Sequence, residues 1–286
     1  MRLKNFNGKS RTLAFDIRPF IHPLDAKAMA AMKAVPGFDL VTDAFLKFYD
    51  EKLLHVENMA TRVRLGPRQL PQIHKLLQEV CLDMEMEEPE LYLENGRSDA
   101  MSLGDKRPFI VLQSGLISCL SMQEIRSVLA CMCAHILCGH NRYETMATMM
   151  IGAGSGILGL ASTIVKPVYW AMMAWLRCGG FTADRIDAYI TGSPDVVISK
   201  LMKMKGGIIY NHENVDLNPE AYLDQARAFQ EELSLSKIQT WTQKWIAKDL
   251  SNPFPAIRCL ELKKWWNEAG RTLASGSPRA RREYSW

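Results

Sequence analysis

Apolar residues recur at helical spacing along most of this chain. Beyond His22-Pro23-Leu24-Asp25, residues Ala28, Met29, Met32 and Val35 lie three or four apart, and the pattern stops at the breaker pair Pro36-Gly37. Phe38 to about Leu65 reads as a second long helix, with Phe45, Phe48, Tyr49 and Leu53 on one face. Pro71 to Met84 reads as a third, with a core stripe of Ile73, Leu76, Leu77 and Val80. The period then changes. Leu91-Tyr92-Leu93, Asp99–Leu103 and Phe109-Ile110-Val111-Leu112 are short and strand-like, separated by Gly96 and by Gly104 to Pro108, which predicts a small antiparallel sheet.

Ser121 and Glu124 form an S-x-x-E capping box, which opens a helix over 122–141. Met146 to Val165 carries no charged residue, and apolar Val168 to Leu176 follows Lys166-Pro167, so 146–176 reads as an apolar helical hairpin. It is long enough to span a bilayer. However, Gly152, Gly154, Gly156 and Gly159 dilute its hydrophobicity, and the expectation is a hairpin packed on the protein or dipping into a membrane. Further helices are expected at about 181–192, 194–205, 219–232, 235–249 and 254–268. The domain division is a basic arm over 1–20, one main domain over 21–269 and a basic tail over 270–286.

Composition changes this picture little. With 286 residues, 48% apolar and 23% charged, the chain can bury a substantial core. The net charge of +4 belongs to its ends: Arg2, Lys4, Lys9 and Arg11 at one, Arg271, Arg279, Arg281 and Arg282 against Glu283 at the other. The body between them is acidic, and no interleaving of basic and aromatic residues favours nucleic acid. Seven cysteines without a secretory signal point to free thiols in a reducing compartment.

Candidate chemistry centres on Cys131-Met132-Cys133-Ala134-His135 in the capped helix. Cys131 and His135 share a helix face at i, i+4, a spacing that suits two metal ligands. A zinc peptidase helix of this kind would read H-E-x-x-H, with glutamate as general base. Cys138 lies roughly 10 Å along the axis from Cys131, too far for one shared ion. Each residue also has a plainer reading. His135 would be a hydrogen-bonded, semi-buried histidine and His140 a cap or surface group at the helix end. Cys131, Cys133 and Cys138 would pack as small apolar groups, and Met132 would fill a cleft. Trp241, Trp245, Trp265 and Trp266 would form core and docking surface.

The order of several stretches resembles the zinc metallopeptidase family of the heat-shock protease HtpX and the CAAX prenyl endopeptidase, above all its compact cyanobacterial and plastid members. These stretches are His22-Pro23-Leu24-Asp25, Ala34-Val35-Pro36-Gly37, Pro108-Phe109-Ile110-Val111-Leu112, Phe181-Thr182-Ala183-Asp184-Arg185, Leu201 to Gly207 and Asn252-Pro253-Phe254-Pro255-Ala256-Ile257-Arg258. The resemblance covers about residues 20–268 and implies an α+β, mostly α, zincin-like fold. It also places the family's site. The first zinc histidine falls on Cys131, the general base on Met132, the second histidine on His135 and the glutamate ligand on Gly180, four residues before Asp184. A histidine usual near the C-terminus falls on Asn252. His135 and Asp184-Arg185 are what remains, the latter pair expected to persist as a structural ion pair or hydrogen-bond network.

The expectation is therefore a catalytically inactive metallopeptidase homologue that needs no cofactor. It would act as a structural or interaction subunit of a membrane-associated assembly, touching the membrane through Met146 to Leu176. An organellar setting, plastid first, or the bacterial cytoplasm would suit it. Two alternatives stand beside this. One is an active zinc endopeptidase rebuilt on Cys131, His135 and another thiolate; the other is a regulatory pseudopeptidase that holds peptide along an edge strand.

Overall fold

The computed structural model describes residues 2–4, 10–12, 15–153, 162–206, 217–235 and 254–275. Strands β1 (Arg2–Lys4) and β2 (Ser10–Thr12) pair antiparallel as a small hairpin. Helices α1 (Pro23–Lys33), α2 (Phe38–Phe48) and α3 (Glu51–Thr61) follow, then strand β3 (Val63–Arg64) and helix α4 (Pro71–Asp83). Strands β4 (Glu90–Glu94), β5 (Ala100–Leu103) and β6 (Phe109–Gln113) lead into the short α5 (Ser114–Cys119). The helical remainder comprises α6 (Met122–Cys138), α7 (His140–Ala153), α8 (Ser162–Thr191), α9 (Pro194–Gly206), α10 (Pro219–Leu235), α11 (Pro255–Trp265), a π-turn over Trp266–Gly270 and α12 (Arg271–Ala274). The α+β, mostly α, class read from the sequence holds.

The sheet is mixed rather than antiparallel. Its order is β3-β4-β6-β5, and β4 runs parallel to β6, with Leu91 opposite Ile110 and Leu93 opposite Leu112. β5 pairs antiparallel on the far side of β6 and forms one edge. The physical reason lies in β6: Phe109, Ile110, Val111 and Leu112 are all buried, so this strand is covered on both faces and takes the centre. Leu91, Ile110 and Leu112 join the main core on one face, while Tyr92, Phe109 and Val111 pack with Leu103 and Leu54 on the other.

Several expected elements divide differently. The helix expected from Phe38 to Leu65 breaks at Tyr49-Asp50, where Tyr49 is extended and the Asp50 side chain caps α3 by accepting from the Lys52 N–H. Its end becomes edge strand β3. The capping box does open α6: Glu124 accepts from the Ser121 N–H at 2.8 Å, and the Ser121 hydroxyl accepts from the Glu124 N–H at 3.3 Å. That helix stops at Cys138, because Gly139 adopts φ +76° and redirects the chain into α7. The segments expected separately at 168–176 and 181–192 are one continuous helix, α8, with Pro167 inside it.

α8 joins two cores. Its first half, through Val168, Met172 and Trp175, packs with Met146 and Met150 of α7 and with Val41 and Phe45 of α2. Its second half, through Ala183, Ile186 and Ile190, packs against α6, α9 and α11. The described part of the apolar hairpin therefore lies on the protein. Among the described residues, no helix is long and apolar enough to cross a membrane. Parts of both terminal segments are docked: Ile17 and Phe20 enter the core, and Leu273 and Ala274 pack against it. The helix expected at 235–249, with Trp241 and Trp245, lies outside the described residues beyond Leu235, as does Asn252.

Candidate functional site at the degenerate motif

α6 and α8 run side by side and bring the motif positions together. Cys131 is buried, and desolvation pushes its thiol up to about 11, against the pull of Lys200. Cys133 is fully buried, Cys138 partly, and both thiols are held well above the ordinary range. All seven cysteines are free thiols. Met132 is half-buried and faces a cleft. Gly180 is buried in α8 and offers no side chain where the family's glutamate would stand.

His135 is buried, with its Nδ1 3.0 Å from Nδ1 of His140. His140 is not the cap or surface group expected from its place after Gly139: it is 1% exposed. It turns inward because α7 starts at that residue, and Gly179 leaves room for its ring. A Cβ on Gly179 would lie 2.7 Å from the imidazole. Beyond it, His140 Nε2 is 3.5 Å from Oδ2 of Asp25. That carboxylate also accepts from Trp175 Nε1 at 2.7 Å and from the Thr182 hydroxyl at 2.5 Å. The Thr182 oxygen in turn accepts the His22 N–H at 3.0 Å. Burial works against the Asp25 carboxylate, yet these donors hold it below its usual range. Desolvation, joined by the electrostatic effect of neighbouring His140, drives His135 well below its ordinary range and favours the neutral ring.

A second polar layer lies deeper. Arg258 donates from Nε and Nη2 to the two oxygens of Asp184, both at 2.7 Å, in a buried bidentate pair. The ion-pair role expected for Asp184 is thus realised with Arg258. Its sequence neighbour Arg185 instead lies over the Trp265 ring. Lys200 Nζ donates to Asp187 Oδ2 at 2.6 Å, and the Ser127 hydroxyl donates to the same oxygen at 2.7 Å. Burial opposes the Lys200 charge, but Asp187 holds it firmly protonated. Lys200 and Arg258 line a cavity of about 40 Å³ together with Cys131, Met132 and His135.

A larger cavity, about 250 Å³, opens on the other side of Met132 and His135. Ala100 and Met101 of edge strand β5 form one wall, and Ala147, Met173 and Leu176 form others. Glu144 and Asp99 supply its charges. Desolvation, reinforced by Asp99, pushes the Glu144 carboxyl up to about 7.

Cys131, Met132 and His135 line one small cavity, and the residues at these positions do not fit the family's zinc-ligand set. Catalytic zinc needs three protein ligands and an open position for water. Position 180 supplies no donor, Cys131 is held as a thiol, and His135 alone would leave the ligand set short. Two cations, Lys200 and Arg258, line the same small cavity as Cys131 and His135. Among the described residues, no three His, Cys, Asp or Glu side chains are grouped to hold a metal. Met132 has no proton acceptor to activate water. Sequence reasoning missed Glu144, Lys200 and Trp175 in this neighbourhood. Asp25, Thr182 and Arg258 had appeared only inside resembling stretches.

A small sheet whose edge strand β5 packs on the motif helix α6, with A-D-R on the neighbouring helix α8, fits a zincin-like metallopeptidase scaffold. The chain belongs to Peptidase family M48, whose profile matches residues 67–212, just over half its length. It is 29% identical over 253 residues to the plastoglobule-localized metallopeptidase 48, chloroplastic, of Arabidopsis thaliana, a match covering 87% of this chain and 73% of the relative. It is 26% identical over 192 residues to a protease HtpX homolog of Ralstonia pickettii (strain 12J), covering 58% of this chain and 66% of the relative. A similar homolog of Burkholderia mallei (strain SAVP1) is 26% identical over 159 residues, covering 47% of this chain and 56% of the relative. No solved structure matches.

Proposed function

We propose that this chain is a catalytically inactive member of the M48 family that works by binding, as a structural or interaction subunit. The observation that carries the reading is the joint replacement at the motif: Met132 at the general-base position and Gly180 at the carboxylate-ligand position, on a scaffold whose core is fully built. Losing the base alone would slow hydrolysis; losing a ligand as well removes the means of generating the nucleophile. The setting we propose is a plastid, at a membrane-associated assembly, which the likeness to a plastoglobule-localized relative supports. Cell fractionation tests the setting, and isolation under native conditions tests the subunit role through a stoichiometric companion.

Metal analysis of the purified protein, paired with a peptidase assay, tests inactivity. Stoichiometric, tightly bound zinc together with chelator-sensitive proteolysis would overturn the reading in favour of a rebuilt Cys131/His135 site. A second reading, a regulatory protein that holds peptide without cutting it, is favoured by one specific feature. The cavity beside Met132 remains open next to edge strand β5, where an extended chain can pair with unpaired backbone groups.

A further inference from the structure

We infer that the cavity between β5, α6, α7 and α8 is a binding site for an alkylammonium or alkylguanidinium group, with Glu144 as its anionic partner. The inference rests on the peptide-holding reading, since it names what the cleft would recognise. The first support is an imbalance of partners. The buried acids nearby are all engaged: Asp25 by Trp175 and Thr182, Asp184 by Arg258, Asp187 by Lys200 and Ser127, Glu124 by Ser199 and Lys203. Glu144 has no hydrogen-bond or ion-pair partner among the described residues, although it is partly buried. Its oxygens are not among the fully buried unpaired atoms, so they stay within reach of the cavity, where a cation can pair with them.

The second support is the chemistry of the walls. The residues lining the cavity include no lysine or arginine; its charged groups are Glu144 and Asp99, and the latter is exposed. His135 is neutral and does not repel a cation. Met101, Met132, Met173 and Leu176 offer apolar, adaptable surface that suits the alkyl stem of such a ligand. A volume of about 250 Å³ admits a side chain of that length but not a folded domain. The same cation could arrive on a lysine or arginine of a polypeptide lying along β5, or as a free amine.

The test uses the full chain in calorimetric titrations with a blocked Ala-Ala-Lys-Ala-Ala peptide, its norleucine counterpart and n-butylammonium chloride. Norleucine keeps the stem and removes the charge. We expect the lysyl peptide to bind at least tenfold more tightly than the norleucine peptide, and Glu144→Gln to erase that preference. Tighter binding of the lysyl peptide than of butylammonium identifies a polypeptide side chain as the ligand; equal binding identifies a free amine. Equal affinity for the two peptides overturns the inference, as does failure of both the lysyl peptide and butylammonium to bind. The peptide comparison needs no variant, so a folding defect in Glu144→Gln cannot obscure it. Mass spectrometry of the recovered peptides separates the two readings. Cleavage would sink the inactive assignment and leave the cation preference standing, whereas intact peptides without preference would sink the preference alone.

Discussion

Replacing Glu144 by glutamine should stabilise this protein at pH 8 and leave it unchanged near pH 4.5. The carboxyl is raised from 4.5 to about 7 by desolvation and by Asp99. Between those two values the folded chain keeps a proton that the unfolded chain has released. The contribution of this group to stability therefore falls as pH rises through that window and is level above it. Ionising the folded group weighs at most about 3 kcal/mol against the fold at pH 8, and its partial exposure trims this to about 1–2 kcal/mol. Glutamine has nearly the same shape and no charge to desolvate. Urea denaturation at both pH values, with linear extrapolation, measures the difference. In a thermal melt the gain corresponds to roughly 2–4 °C for a chain of this size. A Glu144→Gln protein less stable than the parent at pH 8, or one whose advantage is the same at pH 4.5, would refute the account of an unpaired, destabilising carboxylate.

Removing the guanidinium of Arg258 strands Asp184 in the core, so Arg258→Met should cost about 3–5 kcal/mol. Adding Asp184→Leu should recover much of that loss, and a double-mutant cycle by chemical denaturation checks it. Gly179→Ala places a Cβ 2.7 Å from the His140 ring, an overpacking expected to cost about 1–3 kcal/mol in the same assay. Met132→Glu alone should produce no chelator-sensitive peptide hydrolysis, because Cys131 and Gly180 remain. Activity gained from that one change, followed with a quenched fluorescent peptide, would contradict the ligand argument.

What the sequence made legible was whatever depends on local pattern. The capping box at Ser121 and Glu124, the breakers Pro36-Gly37 and the apolar stripe of Ile73, Leu77 and Val80 all appear where spacing placed them. Cys131, Met132 and His135 also share a cavity, as their spacing on one helix implied. The misreadings arose where tertiary burial outweighed the pattern. The run Phe109 to Leu112 was unbroken rather than alternating, which is the mark of a central strand covered on both faces. Reading it as part of an antiparallel meander missed the parallel pairing with β4. His140 follows a helix-ending glycine, and only the packing of α6 on α8 shows that it points inward at Asp25. Glu144 gave no signal at all. A lone glutamate on a helix is usually solvated, and nothing in its neighbours along the chain reveals the cavity.

The polar groups around the motif positions balance one another to a large extent. In a metal centre, buried imidazoles and carboxylates are stabilised partly by the bond to the metal, and removing it leaves them desolvated and unmatched. Here they match one another. His135 meets His140, His140 meets Asp25, and Asp25 closes on Trp175 and Thr182. Arg258 and Lys200 are neutralised by Asp184 and Asp187. This network ties α8 to α1 through Asp25 and to α6 through Ser127. Glu144, outside the network and facing the cavity, gains nothing from it. A carboxylate kept at the mouth of a cavity against desolvation is the arrangement expected where stability has been traded for binding.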